Sequence, residues 1–126
     1  MASEPLSIRK LYRKLLRSRP VKFPSAGEEL PAPDRHGVYI IYAPRGAVLH
    51  VGRTLRGKKG LRQRLNSLLH GNSSFTIQFL GGRGSKLRAK HKFAFVEITD
   101  ARTRALLEAL AVGTLCPKHL GVGENA

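Results

Sequence analysis

The order of apolar runs and turn residues predicts a small α/β or α+β domain. It has an antiparallel sheet of about three strands, flanked by helices, with an extra helix at the N-terminus. Three observations carry this. Residues 37–54, "GVYIIYAPRGAVLHVGRT", set two apolar runs on either side of a turn holding Pro44 and Gly46, which reads as a β-hairpin. A later run, "FAFVEI" at 93–98, reads as a further strand. Residues 7–17, 60–70 and 100–115 carry apolar side chains at helical spacing.

The elements follow in order. In "SIRKLYRKLLR", 7–17, Ile8, Leu11, Tyr12, Leu15 and Leu16 form one stripe among Arg and Lys, a basic amphipathic helix capped by Ser7 or Ser3. Residues 19–36 are proline-rich and read as a linker, dividing residues 1–35 from a main domain of 36–126. After the hairpin, "GLRQRLNSLLH" puts Leu61, Leu65, Leu68 and Leu69 on one helical face, and Gly71 is a natural stop. "SSFTIQFL", 73–80, fits either a short helix or a strand. "GGRGSKLRAKHK", 81–92, is a basic, glycine-rich loop. Thr99 or Asp100 caps a last helix, which Pro117 ends.

A chain of 126 residues, 41% of them apolar, is enough for one domain with its own core. Its 23 Lys and Arg against 8 Asp and Glu give a net charge of +15, suited to a polyanion and above all to nucleic acid. Cys116 is the only cysteine, which excludes an internal disulfide and a cysteine zinc site. No signal-type or bilayer-length apolar run is present, so an intracellular protein that does not enter membranes is expected.

Strand alternation gives the first chemical clue. If Val38 and Ile40 face the core with Leu49 and Val51, then Tyr39 and His50 share the other face. Gly52 beside them leaves room for a ligand backbone to approach. With Leu61 at zero on a helical wheel, Leu65 falls near ~40°, Leu68 near about −20° and Arg64 near about −60°. Arg64 is therefore the arginine best placed to tuck against the sheet, where a guanidinium can clamp a phosphate. The last helix, "ALLEALAVGTLCP" at 105–117, wraps apolar residues around a single charge, Glu108, and so should be largely buried. A carboxylate so placed needs a cation, either a divalent metal or an arginine such as Arg64.

These residues, in this order, resemble the GIY-YIG nuclease family. "GVY" at 37–39 resembles the first signature triplet, and "HVG" at 50–52 the second, with His50 in place of the usual tyrosine. "VGRTLRGKKGLRQRL" is similar to the segment leading to the family's catalytic arginine, which falls on Arg64. "LLEALAVGTLCP" resembles the helix bearing the metal-binding glutamate, which falls on Glu108, and Pro117 matches the proline that follows it. The match runs from 36 to about 120. Leu120 stands where the family has an asparagine, with Asn125 offset from it. Leu68 stands where some members carry His or Tyr; His70 and His36 lie near the motif without matching it.

The resemblance implies a divalent-metal-dependent endonuclease that cleaves DNA phosphodiester bonds by water attack with one Mg²⁺ or Mn²⁺ ion. Glu108 would hold the metal and Arg64 would neutralise charge on the phosphoryl oxygens. Tyr39 or His50 would orient the water and accept its proton, an imidazole with its ordinary pKa of ~6.5 suiting the task better than a phenol at ~10. Arg53 would bind the scissile phosphate or its neighbour, with Gly52, Lys58 and Lys59 nearby. The loop residues Arg83, Lys86 and Arg88 would follow the backbone of duplex or branched DNA, and the basic N-terminal helix would either do the same or pack its apolar stripe on the domain. No targeting domain is evident, so specificity would come from substrate structure, local contacts or a targeting protein. The alternatives are a catalytically inactive nucleic-acid-binding module on the same fold, and a basic adaptor acting through the first helix.

Overall fold

The computed structural model describes residues 3–55, 60–71, 74–88 and 90–120. The first helix, α1 (Glu4–Arg17), begins at Ser3, whose hydroxyl accepts a hydrogen bond from the Leu6 amide at 3.3 Å. Four strands follow: β1 (Val21–Lys22), β2 (Gly37–Tyr42), β3 (Val48–Arg53) and β4 (Lys92–Glu97). They form one antiparallel sheet in the order β1-β4-β2-β3. The sheet thus has four strands where three were expected. The fourth comes from the proline-rich segment, whose Val21 and Lys22 pair with Phe93 and Lys92. That segment also sends Phe23, Leu30 and Ala32 into the core.

Three further helices are α2 (Gly60–Leu69), α3 (Ser74–Phe79) and α4 (Ala101–Leu115), with a 3₁₀ turn over Gly84–Leu87. Of the stretch 73–80, open between helix and strand, Ser74–Phe79 is helical. The Asp100 carboxylate accepts from the Thr103 amide at 2.9 Å and caps α4. Among the described residues, no helix is long and apolar enough to cross a membrane.

Both faces of the sheet are covered. On one, Val38, Ile40, Val51 and Val96 pack against Ile8 and Leu15 of α1 and Leu107 and Ala111 of α4. On the other, Tyr39, Ile41 and Phe93 pack against Leu61, Leu65 and Leu68 of α2 and Phe75 of α3. The N-terminal helix is therefore part of the domain's packing, and its Glu4 pairs with Arg102 of α4 at 2.9 Å.

The expected alternation fails at one point. Register shifts in the β2–β3 pair between Ile41 and Tyr42, so Ile41 faces His50 and Tyr42 faces Val48. The extra residue, Leu49, joins the Tyr39 face instead of the Val51 face. The helix α4 is also less covered than its apolar sequence implied. Leu107 and Ala111 are buried, while Ala109, Gly113 and Thr114 face solvent, small residues that cost little to expose.

α2 starts in a tight spot. Gly60 has φ +41°, and a Cβ there would lie 2.2 Å from the Arg35 carbonyl oxygen. The carbonyls of Arg35 and Pro33 accept from the Leu61 and Arg62 amides at 2.7 and 3.1 Å. The Arg62 side chain reaches the Ala32 carbonyl at 2.9 Å and lies 3.4 Å from Asp34. The first turn of α2 is thereby satisfied and fixed against the sheet.

Candidate active site

Tyr39 lies in β2 directly opposite Gly52 in β3. Its ring is fully buried, and its hydroxyl oxygen accepts a hydrogen bond from Arg64 Nε of α2 at 3.1 Å. Arg64 is half-buried on the shoulder of α2, where the helical wheel put it. Gly52 has a different use from the expected one. A Cβ at Gly52 would sit 2.3 Å from the Tyr39 hydroxyl oxygen, so the space is taken by the phenol rather than left open to a ligand.

Arg53, the next residue along β3, points to the opposite face and meets α4. Its Nη1 donates to Glu108 Oε1 in a half-buried ion pair, with side chains 33% and 24% exposed. The cation that Glu108 required is therefore Arg53 rather than Arg64. Burial pushes the Glu108 carboxyl above its usual range, while Arg53 and then Arg64 pull it back. Burial likewise raises the Tyr39 phenol, opposed by Arg64 and reinforced by Glu108. Tyr39, Arg64, Arg53 and Glu108 thus lie within electrostatic reach of one another, at the end of the sheet where β2 begins and β3 ends.

His50 shares the Tyr39 face of the sheet, and that face is covered. The histidine is 4% exposed, and its ring stacks on Phe75 with centroids 5.0 Å apart. Its Nδ1 lies 3.0 Å from Nδ1 of His119. Burial, with His119 and Arg64 adding repulsion, lowers its pKa to about 3. Packing on both sides of the sheet is the reason: α3, unread in the sequence, closes over this face. The Tyr39 and His50 rings do lie close, with centroids 6.0 Å apart.

The other expected residues are dispersed. Lys58, Lys59 and Asn125 lie outside the described residues. Arg83 and Lys86 are exposed on the glycine-rich loop. Arg88 is partly covered and donates to the carbonyls of Pro24 and Ser25 at 3.3 and 3.4 Å, which ties that loop to the segment after β1. Glu97 pairs with Arg35 at 3.6 Å, well exposed and apart from Glu108. His70 is exposed and bonded to the Asn66 carbonyl at 2.7 Å, and Leu120 is exposed. His36 Nδ1 lies 2.8 Å from the Thr54 hydroxyl, which joins the chain just before β2 to the chain just after β3.

Two important residues gave no sequence signal. His119 follows Pro117 on a segment that runs along the free edge of β3, with its amide donating to the Leu49 carbonyl at 2.8 Å. Arg104 of α4 is 4% exposed, and donates to the carbonyls of Thr54, Leu55, Ile98 and Thr99 at 2.7–3.3 Å. It pins the chain just past Arg53. In the sequence it is one arginine among many.

Among the described residues, no group of three or more His, Cys, Asp and Glu converges as a metal cage. The donor set is nonetheless compatible with Mg²⁺ or Mn²⁺. Such ions keep most of their water and take one or two carboxylates plus substrate phosphate oxygens. Glu108, ionisable and partly open to solvent, fits that pattern.

The architecture is an α+β domain, a small antiparallel sheet between helical layers, with a Tyr–Arg pair and a half-buried glutamate at one end. The chain has the GIY-YIG fold. It superposes on the GIY-YIG N-terminal endonuclease domain of UvrC from Thermotoga maritima, a structure bound to its catalytic divalent cation, magnesium. The TM-score is 0.50 at 21% identity, over 89% of this chain and 93% of that one. Two point mutants of the same domain, each with a tyrosine changed to phenylalanine and bound to the catalytic cation, align equally well. Each gives a TM-score of 0.50 at 21% identity over 89% of this chain, and 92% and 93% of theirs. No family model matches the chain. No curated protein matches it either.

Proposed function

We propose that this protein is a divalent-metal-dependent DNA endonuclease that hydrolyses phosphodiester bonds by water attack. The observation that carries the reading is the gathering of Tyr39, Arg64, Arg53 and Glu108 at one end of the sheet. The net charge of +15 supports a polyanionic substrate, duplex or branched DNA.

In this reading Glu108 holds one Mg²⁺ or Mn²⁺ ion. Such an ion would supply Lewis-acid stabilisation of charge on the phosphate and the leaving oxygen. The chain's own residues do the rest. Arg64 presents a guanidinium whose Nε is committed to Tyr39, leaving its two amino groups for the phosphoryl oxygens as charge grows there. Tyr39 accepts from Arg64, so its own O–H remains to orient the water. With its pKa near 3, His50 is a weak base at neutral pH, so beside Tyr39 it serves the water as a hydrogen-bond acceptor and does not take its proton. Arg53 leaves Glu108 for the phosphate as substrate arrives. The exposed Arg83 and Lys86 add contacts to the backbone that do not read sequence.

One observation favours the alternative, an inactive nucleic-acid-binding module on the same fold. The Arg53–Glu108 pair already satisfies the carboxylate without a metal. Incubation of end-labelled duplex and branched DNA with Mg²⁺, Mn²⁺ or EDTA separates the two. Metal-dependent products that vanish in Glu108→Gln support the nuclease. Salt-sensitive binding with no product on any substrate supports the module.

A further inference from the structure

The exchange of tyrosine for histidine in the second triplet comes with a second histidine that no motif includes. His119 is 7% exposed, and its Nδ1 faces Nδ1 of His50 at 3.0 Å. Two imidazole nitrogens at that separation share one proton: one donates and the other accepts. The far nitrogen of His119, Nε2, lies 3.1 Å from the side-chain oxygen of Gln78 on α3. An amide oxygen only accepts, so His119 carries its proton on Nε2. Its Nδ1 is then the acceptor, and His50 must donate from Nδ1. The low pKa of His50 keeps that ring neutral, so its Nε2 is left with a lone pair.

We infer that His119, oriented by Gln78, is a positioning residue that locks His50 as the Nδ1–H tautomer and leaves its Nε2 as a hydrogen-bond acceptor beside Tyr39. The Gln78–His119–His50 row comes from three separate elements: α3, the segment after α4, and β3. Backbone bonds hold the middle member, since the Lys118 and His119 amides donate to Val48 and Leu49 at 3.2 and 2.8 Å. Phe75 stacks on His50, and the residue is 4% exposed. The arrangement therefore fixes a proton's position, as the second partner of a histidine does wherever its tautomer matters. The use of this acceptor, to hold the attacking water, rests on the nuclease reading; the tautomer itself does not.

The test is long-range ¹H–¹⁵N NMR of the imidazole rings of the full chain at neutral pH, without metal or DNA. The expected result is a pyrrole-type Nδ1 and a pyridine-type Nε2 for His50, and the reverse for His119. In His119→Ala, the His50 pattern shifts toward Nε2–H. In His119→Asn, whose side-chain oxygen can accept from His50 Nδ1, the wild-type pattern returns. Gln78→Leu, on an exposed position that leaves the fold intact, loosens the His119 tautomer first. A wild-type His50 protonated on Nε2 overturns the inference, as does a pattern unmoved in His119→Ala. Absence of DNA cleavage with the expected tautomers refutes the nuclease and leaves the lock standing.

Discussion

Arg64 Nε donates to the Tyr39 hydroxyl oxygen at 3.1 Å, joining α2 to β2, an inner strand of the sheet. The bond fixes the guanidinium plane and takes one lone pair of the phenol. In the nuclease reading neither group works alone. Arg64→Ala is expected to lower the single-turnover cleavage rate by about 10²–10³-fold, the usual cost of removing a donor aimed at transition-state charge. Arg64→Lys does not restore it, because an ammonium lacks the fork that serves Tyr39 and phosphate together. Tyr39→Phe combined with Arg64→Ala costs less than the product of the single effects, and a double-mutant cycle measures the difference.

Gly52→Ala tests the packing of the same pair. The added methyl would meet the Tyr39 oxygen at 2.3 Å, a contact only movement can relieve. The ring is fully buried, so it can move only by displacing its core neighbours. A loss of about 1–3 kcal/mol in urea unfolding is expected, from overpacking. Cleavage falls further than this stability loss explains, because the Tyr39–Arg64 bond is displaced.

Stability should depend on the pH at which His50 titrates. In the folded protein its pKa is lowered to about 3, against about 6.5 when unfolded. Between those values the unfolded chain binds the extra proton. The stabilisation is therefore fully present above about 6.5 and is lost as pH falls toward 3, at up to about 1.4 kcal/mol per pH unit. Urea midpoints from pH 7 to 4 measure the slope, and His50→Phe flattens it. The cleavage profile, for the same reason, shows no inflection near 6.5 belonging to His50.

Arg104 supplies the structural counterpart. Its guanidinium is 4% exposed and bonds four backbone carbonyls, with no carboxylate among its hydrogen-bond partners. Arg104→Ala strands those carbonyls and should cost about 3 kcal/mol or more. Arg104→Lys recovers little, since three donors from a single nitrogen cannot span Thr54, Leu55, Ile98 and Thr99. Thermal unfolding of both variants checks this.

Much of the fold was legible because its signals are local. Leucines at 61, 65 and 68 mark one face of α2, and the capping Asp100 marks the start of α4. Arg64 was found because a helical wheel places a side chain without knowing its partner. Where partners matter, the sequence fell short. Arg53 and Glu108 are 55 residues apart, and their pairing depends on how α4 crosses β3. The bulge that moves Leu49, the strand formed by Val21 and Lys22, and the burial of His50 under Phe75 are all tertiary effects. His119 lies 69 residues from His50 and carries no motif; only the path along the edge of β3 brings them together.

The central claim is that the Tyr39–Arg64 and Arg53–Glu108 pairs form a metal-dependent cutting site. Nicking of supercoiled plasmid with Mg²⁺ or Mn²⁺, by the full chain beside folded Glu108→Ala and Arg64→Ala, tests it most directly. The account predicts nicking that EDTA abolishes and that both variants lose while still binding DNA. Nicking that survives Glu108→Ala, or a chain that binds DNA and cuts none with either metal, contradicts it.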